Sequence, residues 1–223
     1  PPSVRGDGPN EKQGTIQLPG SQGGADVQGG AYDPETGMLY IPSITSPFVA
    51  DVIEGNPDRT NLAYVKGSRQ WIGGPRGLPL FKPPYGRITA IDMNLGEIVW
   101  VTPNGDGPRN HPAIRHLNLS PLGGVGRPAP LLTKTLLFLG EGSTNRPGGA
   151  RVPEGMPPEI VTNYGGREFR AYDKSTGEIV WETELPAGTL APPVTYEADG
   201  KQYLLVSSGD VETSGQFLAF ALP

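Results

Sequence analysis

The sequence contains no cysteine and only two histidines among its 223 residues. The absence of cysteine excludes a disulfide framework, a thiolate zinc site and a cysteine nucleophile. His111 and His116 cannot build a metal site that needs several imidazoles. Because neither has a second histidine or a carboxylate at ligand spacing, both are predicted to serve packing or hydrogen bonding rather than metal binding or proton transfer.

Long apolar runs and clusters of positive charge are also missing. No stretch approaches the roughly 18–20 apolar residues that cross a bilayer, and the 18 lysines and arginines are spread singly in a chain of net charge −5. Binding of nucleic acid or anionic lipid is therefore not expected. Residues 1–9 have neither the pattern of a signal peptide nor an initiator methionine, which predicts a chain processed or cut from a longer one.

Glycine and proline, in contrast, are abundant: 33 Gly and 26 Pro make up 59 of the 223 residues. This share, about twice the usual one, approaches the range in which disorder is suspected. Disorder is not predicted, because the charge is low and these residues separate short apolar runs instead of forming low-complexity tracts. They indicate the turns of a β protein.

An eleven-residue segment occurs twice. Residues 90–100 (AIDMNLGEIVW) recur 81 positions later as residues 171–181 (AYDKSTGEIVW), with seven of eleven positions identical. Each copy predicts a β-hairpin, in which an Asp opens the turn, a Gly takes its positive φ, and a β-branched strand ends in Trp. Trp100 and Trp181 are predicted to be buried against neighbouring units, with Asp92 and Asp173 as turn residues.

The rest of the chain predicts an all-β β-propeller. Strand-like runs are present at 38–44, 131–139 and 203–207, and no convincing helical periodicity is present. Long Gly/Pro-rich loops of the kind that propellers carry on their faces separate the predicted strands, at 55–85, 103–130 and 142–166.

Counting strand pairs predicts about two and a half blades within one domain, 1–223. One blade is predicted at about 26–106, a second at about 122–187 and a half-blade at 189–223. Because a propeller must close to remove its sheet edges, the missing blades are expected from the remainder of the protein.

The repeated pattern, Ala-x-Asp-x-x-(Thr)-Gly-x-x-x-Trp, resembles the tryptophan-docking motif of quinoprotein dehydrogenases. These are eight-bladed propellers that use pyrroloquinoline quinone (PQQ). The segments around the motif resemble the C-terminal part of the membrane-type glucose dehydrogenase and related alcohol dehydrogenases, over almost all of residues 15–223. The glucose-dehydrogenase-like branch is more similar than the methanol branch.

The resemblance implies a periplasmic or otherwise exported oxidoreductase. Such an enzyme oxidises a sugar (aldose C1) or alcohol hydroxyl by hydride transfer to PQQ, assisted by Ca²⁺, and passes electrons to ubiquinone or a cytochrome c. In the family the catalytic Asp and the metal ligands lie in earlier blades, so no catalytic or metal-binding residue is assigned in this chain. The N-terminal remainder of the propeller is an implied partner.

Two pairs of residues are candidates for contact with PQQ by their family position. In many relatives a Gly-Gly-x-Asn-Trp stretch contacts the quinone, and here Asp26 and Val27 replace that Asn and Trp. Either the cofactor is held differently, or the quinone site has decayed in a non-catalytic binding or scaffold module. The loop at Thr189 and Leu190 would present a polar edge and an apolar wall, although a rigid turn between blades explains it equally well.

Three weaker interpretations concern the loops. Asp33-Pro34-Glu35 lacks the alternating ligands of a calcium loop and is predicted to be a turn. Residues 73–77 are glycine-rich but lack the Lys-Ser/Thr of a phosphate loop. Trp71 beside them is a candidate for a partner surface or for an interlocking insertion. A lyase or glycosidase propeller would need paired carboxylates, for which the sequence offers no compelling pair.

Overall fold

The computed structural model describes residues 2–6, 8, 10–20, 23–67, 70–142, 165–210 and 213–221. These residues form strands joined by turns and loops, with three short 3₁₀ turns at Pro75–Gly77, Gly107–Asn110 and Arg115–Leu117. The predicted all-β class is confirmed. Among the described residues no helix has the length and apolar character needed to cross a bilayer.

Sixteen strands are described, and they are numbered here in chain order: β1 Ser3–Val4, β2 Thr15–Gln17, β3 Ala31–Asp33, β4 Met38–Ile44, β5 Phe48–Glu54, β6 Tyr64–Lys66, β7 Gln70–Trp71, β8 Gly86–Asp92, β9 Glu97–Pro103, β10 Leu131–Leu132, β11 Leu136–Gly140, β12 Glu168–Asp173, β13 Ile179–Glu184, β14 Val194–Ala198, β15 Lys201–Ser208 and β16 Gln216–Ala221.

Three antiparallel sheets follow one another along the chain. The first sheet has the order β3-β4-β8-β9, the second β10-β11-β12-β13 and the third β14-β15-β16. The first and second sheets therefore have four strands each, and the third has three among the described residues. Each sheet is built from strands adjacent in sequence, except that β5 to β7 interrupt the first.

The two copies of the repeat form the predicted hairpins, β8-β9 and β12-β13. In both, the opening Asp accepts a hydrogen bond from the backbone two residues later, Asn94 N at 2.8 Å and Ser175 N at 2.7 Å. Gly96 and Gly177 close the turns with φ of 73° and 76°, a conformation that glycine adopts without steric cost. The turn prediction is confirmed, and both hairpins also carry a bulge at the same place.

Apolar cores fill the two spaces between the sheets. The first core joins the first and second sheets, and its fully buried members are Tyr40, Ile88, Ala90, Leu137, Leu139 and Tyr172. The second joins the second and third sheets, and its buried members are Phe169, Leu185, Leu204 and Val206. Sheets stacked face to face in this way are the arrangement of adjacent propeller blades.

Strand direction separates the connections into two groups. The five tight turns, at 34–37, 93–96, 133–135, 174–178 and 199–200, lie at one end of the sheets, here called the short-turn end. The connections β4-β8, β9-β10, β11-β12, β13-β14 and β15-β16 lie at the opposite end, the long-connection end. Because binding residues concentrate on loops held by a rigid scaffold, the long-connection end is the place to look for a site.

Part of the predicted 55–85 loop is a sheet rather than an irregular segment. Strand β5 pairs with four other strands, β1, β2, β6 and β7. These five strands are called the accessory sheet. The sequence prediction missed it because β6 and β7 have only 3 and 2 residues, and because β1 and β2 come from a more distant part of the chain. The 103–130 loop contains two of the 3₁₀ turns, and most of the 142–166 loop lies outside the described residues, as does the side chain of Trp71.

The two repeat tryptophans differ in burial, which corrects one prediction. Trp100 is partly buried and donates from Nε1 to the Lys174 carbonyl at 3.2 Å, and its ring lies 5.8 Å from that of Tyr40. Trp181 is 40% exposed. Trp181 contacts the Phe220 ring of the third sheet in an edge-to-face arrangement, with the ring centroids 5.7 Å apart. Trp100, in contrast, contacts the 174–178 turn of the second sheet.

Candidate functional site

All four residues predicted to contact a cofactor lie at the long-connection end. Asp26 and Val27 precede β3, and Thr189 and Leu190 lie between β13 and β14. They form two groups, which the end of β11 separates.

The first group is organised by an ion pair. The Asp26 carboxylate lies 3.0 Å from Arg127 Nε, with both side chains partly exposed. Its other oxygen accepts a hydrogen bond from the Val27 backbone N–H at 2.7 Å. The Val27 side chain is 89% exposed and therefore covers nothing among the described residues.

A narrow cleft opens beside this ion pair. Its walls come from the segment before β3, the end of β4 and the connection β9-β10, and the lining residues are Gly24, Asp26, Gln28, Gly29, Pro42, Ser43, Ile44, Gly126, Arg127 and Pro128. Three of them are glycines, so backbone is accessible on several sides. Arg127 is the only cationic residue in this lining.

The second group is built on the start of the third sheet. Thr189 is buried and forms an antiparallel bridge with Ser208. Ser208 is fully buried, and its hydroxyl donates to the Ala187 carbonyl at 2.8 Å and accepts from the Ala187 N–H at 3.1 Å. Leu190 is half exposed and packs over Gly209. Of this pair, Leu190 therefore has its side chain available for contact.

Residues Gly140 to Gly142, here called the 140–142 segment, lie between the two groups. A side chain at Gly140 would collide with Thr189, and one at Gly142 would collide with the backbone of Arg127. The missing side chains thus let both groups approach the same three residues. This segment connects the two halves of the candidate site.

The middle residue of the segment, Glu141, forms a buried ion pair. Its Oε1 lies 2.6 Å from Arg170 Nη1, and each side chain is about nine-tenths buried. Arg170 Nε also donates to Glu182 at 3.2 Å. Burial raises the pKa of Glu141, although the Arg170 guanidinium acts in the opposite direction. Sequence inspection missed this pair because its members are 29 positions apart and share no motif.

A buried hydrogen-bond chain supports the same segment from the first sheet. Asn104 Nδ2 donates to the Gly140 carbonyl at 3.0 Å, and Asn104 Oδ1 accepts from the Tyr172 hydroxyl at 3.0 Å. Burial raises the pKa of Tyr172 to about 12, so the phenol remains a hydrogen-bond donor at physiological pH. Both the backbone and the central side chain of the segment are therefore held in place.

His111 has the hydrogen-bonding role that the sequence predicts. His111 is buried, with Nε2 3.0 Å from the Arg76 carbonyl and Nδ1 accepting from the Ala113 N–H at 3.0 Å. His116 is exposed. In the described part of the chain no group of three or more His, Asp or Glu side chains could hold a metal ion.

A family model described as the β-propeller domain of PQQ-dependent glucose/ethanol/alcohol dehydrogenases matches residues 7–204. This chain belongs to that family. The β-propeller fold expected from the repeats is thereby confirmed, and the three sheets are consecutive parts of a quinoprotein propeller.

Curated members of the quinoprotein family match nearly the whole chain. The quinoprotein glucose dehydrogenase of Escherichia coli (strain K12) is 29% identical over 246 residues, which cover 96% of this chain and 28% of that protein. The glycerol dehydrogenase large subunit of Gluconobacter oxydans (strain 621H) is 30% identical over 239 residues, covering 93% and 30%. The chain thus spans less than a third of the length of these relatives.

Solved quinoprotein structures show the same fold. A quinohemoprotein alcohol dehydrogenase from Pseudomonas putida HK5 superposes with a TM-score of 0.55 at 21% identity, over 92% of this chain and 24% of that one. A europium-containing methanol dehydrogenase gives a TM-score of 0.55 at 24% identity, over 87% and 26%.

The described residues offer one group that suits the edge of PQQ, the Arg127 guanidinium, which already pairs with Asp26. PQQ is a planar quinone with three carboxylates, so its site needs cations at the rim and flat apolar groups against the ring. The cleft beside Asp26 supplies one such cation, Arg127, together with glycine-lined walls, and no aromatic residue is in its lining. Charge-assisted pairing of a guanidinium with a carboxylate is the contact that this cleft can make.

Proposed function

We propose that the chain is part of a PQQ-dependent oxidoreductase that oxidises a sugar (aldose C1) or alcohol hydroxyl. The observation that carries the proposal is the family match over residues 7–204, combined with a cleft at the long-connection end that is lined by one arginine, Arg127. When bound with Ca²⁺, PQQ supplies the hydride acceptor and the metal supplies the Lewis acid. Electrons pass on to a quinone or a cytochrome c, and the protein works in the periplasm or outside the cell.

In this proposal, residues of this chain bind the quinone cofactor and orient it. Arg127 holds a carboxylate of the quinone, and Asp26 keeps the guanidinium aligned in the cleft through its 3.0 Å ion pair. Leu190 provides an apolar wall, and Thr189 anchors that wall against Gly140. The catalytic base and the metal ligands belong to the part of the protein outside this chain.

The remainder of the propeller is the proposed partner of the exposed faces of the stack. On the third sheet Phe217 is 76% exposed and β16 pairs on one side only among the described strands. On the first sheet Val99 and Val101 are half exposed. Apolar residues on open sheet faces and edges favour coverage by further blades.

The test is reconstitution of the full-length protein with PQQ and Ca²⁺. Reduction of an artificial acceptor dye is expected with at least one member of a panel of aldoses and primary alcohols, and no reduction is expected when PQQ is omitted. Arg127→Met should weaken PQQ binding at least tenfold, because the cleft loses its cation. Arg115→Met, on the same connection but exposed, is the matched control. A protein that binds no PQQ and reduces no dye would contradict the proposal.

A non-catalytic binding or scaffold module is the second candidate. The observation favouring it is that Asp26 already neutralises Arg127, while Val27 points into solvent instead of covering a ring. Such a module would bind a glycan or a protein and no quinone. Titration with PQQ separates the two functions, since saturable PQQ binding supports the dehydrogenase and glycan binding without PQQ binding supports the module.

A further inference from the structure

We infer that Glu141 is a positioning residue for the cofactor site, acting through its buried ion pair with Arg170. The inference rests on the proposed function, because it assigns a role in binding PQQ. Glu141 itself touches neither Arg127 nor Leu190 among its described contacts, so its effect passes through the 140–142 segment.

The three residues of the 140–142 segment each contact a different neighbour. Gly140 lies against Thr189, Gly142 lies against the backbone of Arg127, and Glu141 between them points inward to Arg170. Rotation or displacement of the segment would move both halves of the site together. The ion pair therefore sets the distance between the cationic edge of the site and its apolar wall.

The carboxylate is confined by the connections around it. A side chain at Gly105, on the connection β9-β10, or at Gly166, at the end of the connection β11-β12, would meet the Glu141 carboxylate. The Glu141 N–H is also tied to the Glu168 carbonyl at 3.1 Å. Three parts of the long-connection end thus meet around one buried charge, whose only cationic partner in the described contacts is Arg170.

Removing the charge of Glu141 leaves the Arg170 guanidinium buried without its main partner. Burial of an unpaired charge is unfavourable, so the arginine would turn toward the exposed Glu182 and release the segment. Arg127 and Thr189 would then lose their common support. The expected result is a looser cofactor site in a molecule whose sheets remain folded.

The experiment measures PQQ affinity in the full-length protein by quenching of tryptophan fluorescence, together with the midpoint of thermal unfolding. Glu141→Gln is expected to raise the Kd for PQQ at least tenfold. Glu184→Gln is the matched control, because it removes the carboxylate of the exposed Arg167–Glu184 pair, which lies at the start of β12 and the end of β13 in the same sheet. Ile88→Val, in the first core, controls for lost stability, and neither control should change the Kd.

Glu141→Asp is the second variant, for use if Glu141→Gln does not fold. It retains the charge and shortens the side chain by one methylene, so the sheets are expected to remain folded. It should still raise the Kd, because the segment must shift to reach Arg170. An unchanged Kd in the folded Glu141 variants would overturn the inference.

Hydrogen exchange gives a readout without the cofactor. Amides at 126, 127 and 187–190 should exchange faster in Glu141→Gln than in wild type and in both controls. If wild type binds no PQQ, the proposed function fails, and the exchange data alone then decide whether Glu141 positions these segments. Unchanged exchange at both would overturn the inference.

Discussion

The two spaces between the three sheets are built from the same sequence repeat and are held together differently. Between the first and second sheets, side chains of one sheet donate to backbone carbonyls of the other: Trp100 Nε1 donates to Lys174, and Thr102 Oγ1 donates to Gly177 at 3.1 Å. Between the second and third, aromatic rings dominate, with Phe169 stacked 6.5 Å from Phe220 and Trp181 at its edge. The repeat therefore specifies a hairpin, and the neighbouring sheet decides what its tryptophan contacts.

The largest difference is expected from the two tryptophans. Trp100→Ala should lower the free energy of unfolding by about 3–5 kcal/mol, because it removes a packed indole and its hydrogen bond. Trp181→Ala should lower it by roughly half as much, since 40% of this side chain is already in water. Urea unfolding of the full-length variants measures both. Equal losses would mean that the two interfaces are equivalent, and Trp100→Phe isolates the contribution of the Nε1 bond.

A smaller effect is expected from a polar contact near the second interface. Ser208→Ala removes the hydroxyl that serves both the N–H and the carbonyl of Ala187, and leaving buried backbone groups unpaired costs about 1–3 kcal/mol. Ser207→Ala is the control, because the Ser207 hydroxyl is buried without a partner in the described residues. The control should be neutral or slightly stabilising in urea unfolding. A loss as large as that of Ser208→Ala would contradict this assignment.

The smallest effect is visible only in acid. The Lys174 ammonium, 2.6 Å from Asp33, lowers the pKa of that carboxyl to about 2 from an ordinary value near 4. A depressed carboxyl pKa adds stability that is complete above pH 4 and is lost as the pH falls toward 2.

Lys174→Met tests this pH dependence. The stability difference between wild type and this variant should therefore be constant above pH 4 and vanish near pH 2, as followed by urea unfolding across that range. Lys201→Met, at an exposed site, should show no such pH dependence. A difference for Lys174→Met that persists at pH 2 would exclude the ion pair as its source.

Local sequence predicted the hairpins well and the long-range pairs poorly. Asp92 with Gly96, and Asp173 with Gly177, encode their turns through contacts within five residues, so their geometry was readable from the chain alone. The accessory sheet and the Glu141–Arg170 pair join distant segments, and no periodicity or motif marks such partners. The prediction that Trp181 is buried was wrong for the same reason, because its burial depends on which side chains of the third sheet contact it.

The location of the candidate site is a prediction from family position, and the contacts within it were not predicted. Family position led to Asp26, Val27, Thr189 and Leu190, and these remain predictions for cofactor contact. Arg127 was not predicted, because a single arginine in a glycine-rich loop is part of no recognisable motif. It became apparent only once folding had placed it 3.0 Å from Asp26.

The separation of tight turns from long connections has a consequence for how such a chain changes over time. The short-turn end consists of hairpin turns in which backbone geometry restricts the choice of residue. Substitutions there are therefore unfavourable regardless of which ligand the protein binds. The opposite end can gain, lose or exchange whole loops while the stack beneath stays intact. New binding specificities can therefore arise through insertions at the long-connection end while the stacked sheets stay unchanged.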